Sequence, residues 1–96
     1  MDKLVLVSLG GATSIHIEAE FTDEGALVFS GQDIGAAPSE LYGDSDYEYW
    51  LTIPAEDKNK LLLALLEKYL SGNHKVISEV RQLCEAKGIR CGFFCH

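Results

Sequence analysis

The sequence predicts a single α+β domain over residues 1–96. It reads as a mostly antiparallel sheet of four to five strands with two helices packed on one face, in the order β-β-β-β-α-α-β. Three observations carry this reading. The front half alternates apolar and polar residues with a period of two, the mark of a half-buried strand. Two stretches after Pro54 repeat apolar residues at helical spacing. The helices also fall together in the chain instead of alternating with strands, which separates α+β from a parallel βαβ order. At 96 residues the chain has the length of one domain. Such a chain buries roughly 60–70% of its unfolded surface, so one core is within reach without disulfides or a metal. With 47% hydrophobic and 24% charged residues, composition excludes a disordered tail, a collagen-like repeat and a coiled coil.

Residues 4–9, Leu-Val-Leu-Val-Ser-Leu, form a short apolar run that reads as the first strand, and Gly10-Gly11 signals a turn. Over 14–21, Ile15, Ile17, Ala19 and Phe21 take one face and Ser14, His16, Glu18 and Glu20 the other, as in a half-buried antiparallel strand. Thr22-Asp23-Glu24-Gly25 is a turn with a glycine available for positive φ, and 26–30 is a third strand. Short turns join antiparallel neighbours, so the three form a meander. Residues 31–46 show no sustained period and read as a long loop, a feature that is often functional in so small a domain. Alternation resumes over 47–53. Tyr47, Tyr49, Leu51 and Ile53 share one face, and Glu48, Trp50 and Thr52 the other.

Pro54 opens a helix, since its missing N–H is no loss in the first turn, and Glu56 and Asp57 suit the positive N-terminal end. The helix runs to about Ser71 and stops at Gly72. Its broad arc of leucines predicts burial on two sides. Asn73 caps a second helix over roughly 74–87, with Val76, Ile77, Val80, Leu83 and Cys84 at helical spacing and Gly88 as the stop. Residues 89–95 read as a last strand, with Ile89, Cys91, Phe93 and Cys95 on one face.

The net charge of −7 is unevenly placed. From Leu4 to Asp57 there are eleven acids and no Lys or Arg; from Lys58 onward seven bases stand against three acids. A cation-free stretch of this length projects a negative field. It repels phosphate backbones, so nucleic acid is not an expected partner, and it speeds encounter with a basic protein. No apolar run approaches the ~20 residues of a membrane span. Met1-Asp2-Lys3 runs straight into Leu4-Val5-Leu6-Val7 without the basic region and cleavage site of a signal peptide. Three cysteines, Cys84, Cys91 and Cys95, fit free thiols in a reducing compartment. The expected location is the cytoplasm, with no membrane partner.

Candidates for chemistry are few. Cys91, Cys95 and His96 form a metal-like cluster, yet on an extended strand Cys91 and Cys95 sit roughly 13 Å apart at about 3.3 Å per residue. Two thiolates on one zinc lie within about 4 Å, so they share a metal only if the C-terminus curls. Cys84 on the helix can meet Cys91 or Cys95 instead. His16, Glu18 and Glu20 share a strand face at spacings that suit an ion or an acid–base pair, with Asp33 as a further ligand. There is no Gly-x-Ser-x-Gly elbow, and Gly31-Gln32-Asp33-Ile34-Gly35 lacks the lysine of a phosphate loop. No catalytic residue, cofactor or metal is therefore assigned. The most informative stretch is 42–50, which combines aromatic residues with acids. Aromatic side chains anchor an interface and acids orient a basic partner. The expected partner-binding residues are Asp33, Glu40, Tyr42, Asp44, Asp46, Glu48 and Trp50.

Gly31-Gln32-Asp33-Ile34-Gly35, followed by Gly43 and Tyr47-Glu48-Tyr49-Trp50, resembles a pattern found in a group of small stand-alone bacterial proteins of uncharacterised activity. In them a Gly-Gln-Asp-(Leu/Ile)-Gly loop precedes a Tyr-Glu-Tyr/Trp strand, a leucine-rich helix and a final Gly-Ile strand. The match covers about half of the chain. In style the sequence is also similar to immunity proteins of bacterial toxin systems, which block a basic nuclease toxin through acidic and aromatic surface residues. That resemblance implies a non-enzymatic acidic binding protein, an inhibitor of a basic, nuclease-like toxin. The alternatives are a small metal-binding domain or enzyme using His16, Glu18 and Glu20, and a homodimeric structural module.

Overall fold

A computed structural model describes residues 3–35 and 46–95. The chain has an α+β fold: four antiparallel strands, then two helices. The strands are β1 (Lys3–Leu9), β2 (Thr13–Phe21), β3 (Leu27–Gly35) and β4 (Asp46–Ile53), and they lie in the sheet in chain order. A single 3-10 turn, Ala55–Asp57, leads into helix α1 (Lys58–Leu70), and helix α2 spans Val76–Lys87. The chain forms two compact units, Met1–Leu61 and Leu62–His96. No helix among the described residues is long and apolar enough to cross a membrane.

In the first unit, β2 and β3 are joined by the expected turn. Gly25 adopts φ 85°. Thr22 N–H donates to Ala26 O at 2.8 Å, and the Thr22 hydroxyl accepts from Ala26 N–H at 3.1 Å. The register then pairs Phe21 with Leu27 through to Thr13 with Gly35 without interruption. Directly opposed residues in an antiparallel sheet share a face, so the register sorts the sheet into two surfaces. Leu4, Ala19, Phe29 and Leu51 form one cross-strand row of the apolar face. Ala19 is the one fully buried apolar residue among the described residues, at 9% exposure. β1 carries a bulge between Val5 and Val7.

Two expectations are corrected in the sheet and the helices. The third strand does not end at Ser30, because residues 31–35 continue it as a ladder between β2 and β4. The nine-residue β2 provides partners for them along its whole length. The broad leucine arc of α1 predicted burial on two sides, yet no residue of this helix is buried: Leu61 and Leu70 are half-buried, and Leu62, Leu63, Leu65 and Leu66 are exposed. A unit as short as Leu62–His96 encloses little core of its own.

The start of α2 departs from the expected cap: Lys75, not Asn73, is the N-cap residue, and no side-chain hydrogen bond caps the helix. Asn73 Oδ1 accepts from Lys75 N–H at 3.0 Å, and Asn73 Nδ2 donates to Glu79 Oε2 at 2.8 Å. The regular helix begins later than expected, at Val76. Gly88 takes the left-handed conformation at φ 68°, and its N–H reaches the carbonyls of Cys84 and Glu85. Residues 89–95 do not form the fifth strand. The glycine cap turns the chain back, and Ile89 N–H donates to Cys84 O at 2.8 Å. The Arg81 guanidinium then lies 4.1 Å from the Phe93 ring centroid. Cys91, Phe93 and Phe94 thus line a groove with Ile77, Val80 and Cys84 of α2.

Candidate functional site

The polar face of the sheet is built from two adjacent cross-strand rows. One is Val5–Glu18–Ser30–Trp50, the other Ser8–His16–Gln32–Glu48. Each strand contributes because its side chains alternate, so β2 and β4 both turn their polar residues to this side. Ser30 is small and sits between Glu18 and Trp50. It leaves a hollow of about 220 Å³ lined by His16, Glu18, Ser30, Gly31, Gln32, Glu48 and Trp50. Trp50 stands at its rim, 64% exposed.

Electrostatics in the hollow centre on Glu18. His16 Nε2 lies 3.1 Å from Glu18 Oε2, and Lys3 Nζ lies 3.4 Å from Glu18 Oε1. The hydrogen bond from His16, with the Lys3 charge beyond it, holds the Glu18 carboxyl below the usual glutamate range despite an opposing desolvation cost. A carboxylate with a depressed pKa stabilises the fold above its ordinary value, and that contribution is lost as pH falls through the lowered value. In an NMR titration Glu18 is therefore expected to protonate below the ordinary glutamate value, and His16→Ala is expected to move its midpoint upward. A midpoint that ignores His16→Ala removes this contact from the site.

On the opposite face Gly31 and Asp33 have a different role. Gly31 is buried and pairs directly with Tyr49. A Cβ built on Gly31 runs into Cε2 and Cζ of the Tyr49 ring. The ring therefore lies across the glycine, and its hydroxyl donates to Asp33 Oδ1 at 2.9 Å. Tyr47 packs beside it, with ring centroids 5.5 Å apart. Glycine is used here because a neighbouring aromatic ring occupies the space of its side chain.

The structure brings Glu48 and Trp50 together and places Asp46 on the same face, opposite Ile34. Asp33 is separated from them: it pairs with Tyr47 and faces the other side. Glu40, Tyr42 and Asp44 lie outside the described residues. No family model, curated protein or solved structure matches this chain. Among the described residues the negative charges of the front half do not form one surface. Glu18, Glu20, Asp46 and Glu48 share the polar face, whereas Asp23 and Glu24 sit in the β2–β3 turn and Asp57 pairs with Lys60 at 3.4 Å. His16 and Glu18 meet as their spacing predicts. Glu20 lies a further pleat along β2, about 13 Å from His16 at 3.3 Å per residue. Among the described residues no three His, Cys, Asp or Glu side chains are placed to hold a metal ion. His16, Glu18 and Gln32 were not grouped with Trp50 by sequence reasoning. The usable signal is that β2 and β4 both write polar residues at alternate positions, and that β3 between them has the small Ser30 at its centre.

Proposed function

We propose that this chain is a non-enzymatic binding protein that engages a basic protein in the cytoplasm, as an immunity-type inhibitor engages a nuclease-like toxin. The observation that carries the reading is Trp50, 64% exposed at the rim of a hollow flanked by Glu48 and Glu18. Tryptophan is over-represented among the residues that dominate interface energies. An indole flanked by carboxylates complements an Arg or Lys side chain by charge and by cation–π attraction. Lys3 already accompanies Glu18, but an ion pair in contact with solvent is weak, so a partner cation readily replaces it. The net charge of −7 adds long-range attraction for a cationic partner.

Affinity capture at low ionic strength, followed by titration of the purified captured protein, tests the reading. The expected partner has a high isoelectric point. Its affinity is expected to fall at least about tenfold as salt rises from roughly 0.1 to 1 M, where the screening length shrinks from about 10 to 3 Å. Recovery of no basic protein, or binding indifferent to salt, overturns the proposal.

A further inference from the structure

The segment after helix α2 is held against that helix at two points. Near its start, Ile89 N–H donates to the Cys84 carbonyl at 2.8 Å. Further on, Phe93 lies under the Arg81 guanidinium at 4.1 Å. Residue 91 falls midway between these anchorages. Arg81 and Cys84 are three residues apart on one helix, hence on the same face. The returning segment therefore passes Cys91 alongside Cys84. Both cysteines line one groove of about 470 Å³, with Ile77, Val80 and Phe93 among its walls; Cys95 is not part of its lining. All three thiols are free, Cys84 half-buried and Cys91 exposed.

We propose that Cys84 and Cys91 form a thiol–disulfide pair whose closure fastens the C-terminal segment to helix α2, with a low-molecular-weight disulfide such as oxidised glutathione as the oxidant. The Cys91 thiolate attacks one sulfur of the oxidised glutathione. A Cys91–glutathione bond forms, and one glutathione leaves as its thiolate. The Cys84 thiolate then attacks Cys91 Sγ, the mixed disulfide breaks, and the second glutathione leaves. Two protein thiols are oxidised to one disulfide, one glutathione disulfide is reduced to two thiols, and the two protein protons pass to the departing glutathiones. Burial, with the hydrogen bond to Cys91, pushes the Cys84 thiol above the ordinary cysteine range. Exposed Cys91 therefore attacks first and half-buried Cys84 resolves. In a reducing cytoplasm the pair stands open, and it closes when the glutathione pool is oxidised.

The test uses the full chain, reduced and folded, incubated with oxidised glutathione, alkylated and digested with trypsin. Cleavage after Arg81, Lys87 and Arg90 separates peptide 82–87 from peptide 91–96. The expected product of the wild type and of Cys95→Ser is these two peptides joined, lighter than their sum by two hydrogens. Cys91→Ser is expected to lose the joined peptide, and Cys84→Ser to stop with one glutathione on Cys91. A bond confined to peptide 91–96, a wild type that ends as the Cys91–glutathione adduct, or loss of the joined peptide in Cys95→Ser each overturns the proposal.

Discussion

Gly31→Val is expected to lower stability by about 3 kcal/mol, from overpacking against the Tyr49 ring and loss of a hydrogen bond to a carboxylate. For a domain of this size that is a fall of roughly 12–24 °C in Tm. The mechanism is local. Valine is otherwise a better strand residue than glycine, so the sign of the change depends on the ring that lies over Gly31. Added methyl groups must push Tyr49 off the glycine, and the hydroxyl then leaves Asp33. Tyr49→Phe keeps the ring and removes only the hydrogen bond, so it is expected to cost about 1 kcal/mol. A double-mutant cycle separates the contributions. In a Tyr49→Ala background, Gly31→Val is expected to be close to neutral, because the ring atoms nearest to that position are gone. Equal destabilisation in both backgrounds, measured by urea unfolding, would show that the ring is not the cause.

Trp50→Ala is expected to weaken binding of the basic partner by at least about 2 kcal/mol, near 30-fold in Kd, while leaving Tm almost unchanged. The two halves of this prediction rest on the same fact. An indole that is 64% exposed contributes little to the fold, because exposed side chains lose little on truncation. Buried under a partner, it becomes the largest apolar contact on the polar face. Glu48→Gln, next to it, is expected to slow association and to flatten the salt dependence, with a smaller change in affinity. Thr52→Ala lies on the same strand face outside the hollow lining and serves as the control. A Trp50→Ala protein that binds as tightly as the wild type would move the interface off this face.

The four strands, two helices and their order are legible because each side chain pattern reports its own backbone period. Alternation in 47–53 already separates Tyr49 from Trp50, and the register agrees. The pattern fails where the explanation lies on another strand. Residues 31–35 contain two glycines and an aspartate, which read locally as a loop. Gly31 belongs in β3 because Tyr49, eighteen residues later, fills its place. The same misreading grouped Asp33 with Glu48 and Trp50, although one pleat separates it from Gln32 and turns it to the other side. Residues 89–95 fail for a different reason. Alternating apolar side chains look alike whether they face a sheet or fold back along a helix, and here the left-handed turn at Gly88 selects the helix. The acidic front half shows a third limit. Absence of Lys and Arg sets the charge of 4–57 but not its direction, and a hairpin turn disperses acids that are close in sequence.

The bulge in β1 has a consequence for self-association. β1 is an outer strand of the sheet, and Leu4, Val5, Leu6 and Leu9 are each 46–59% exposed. An outer strand this apolar is a template on which further chains can stack edge to edge. The extra residue between Val5 and Val7 interrupts the regular spacing of its backbone groups and increases the local twist. The bulge therefore disfavours pairing of a second straight strand along this edge, one of the devices by which sheets resist edge-to-edge growth.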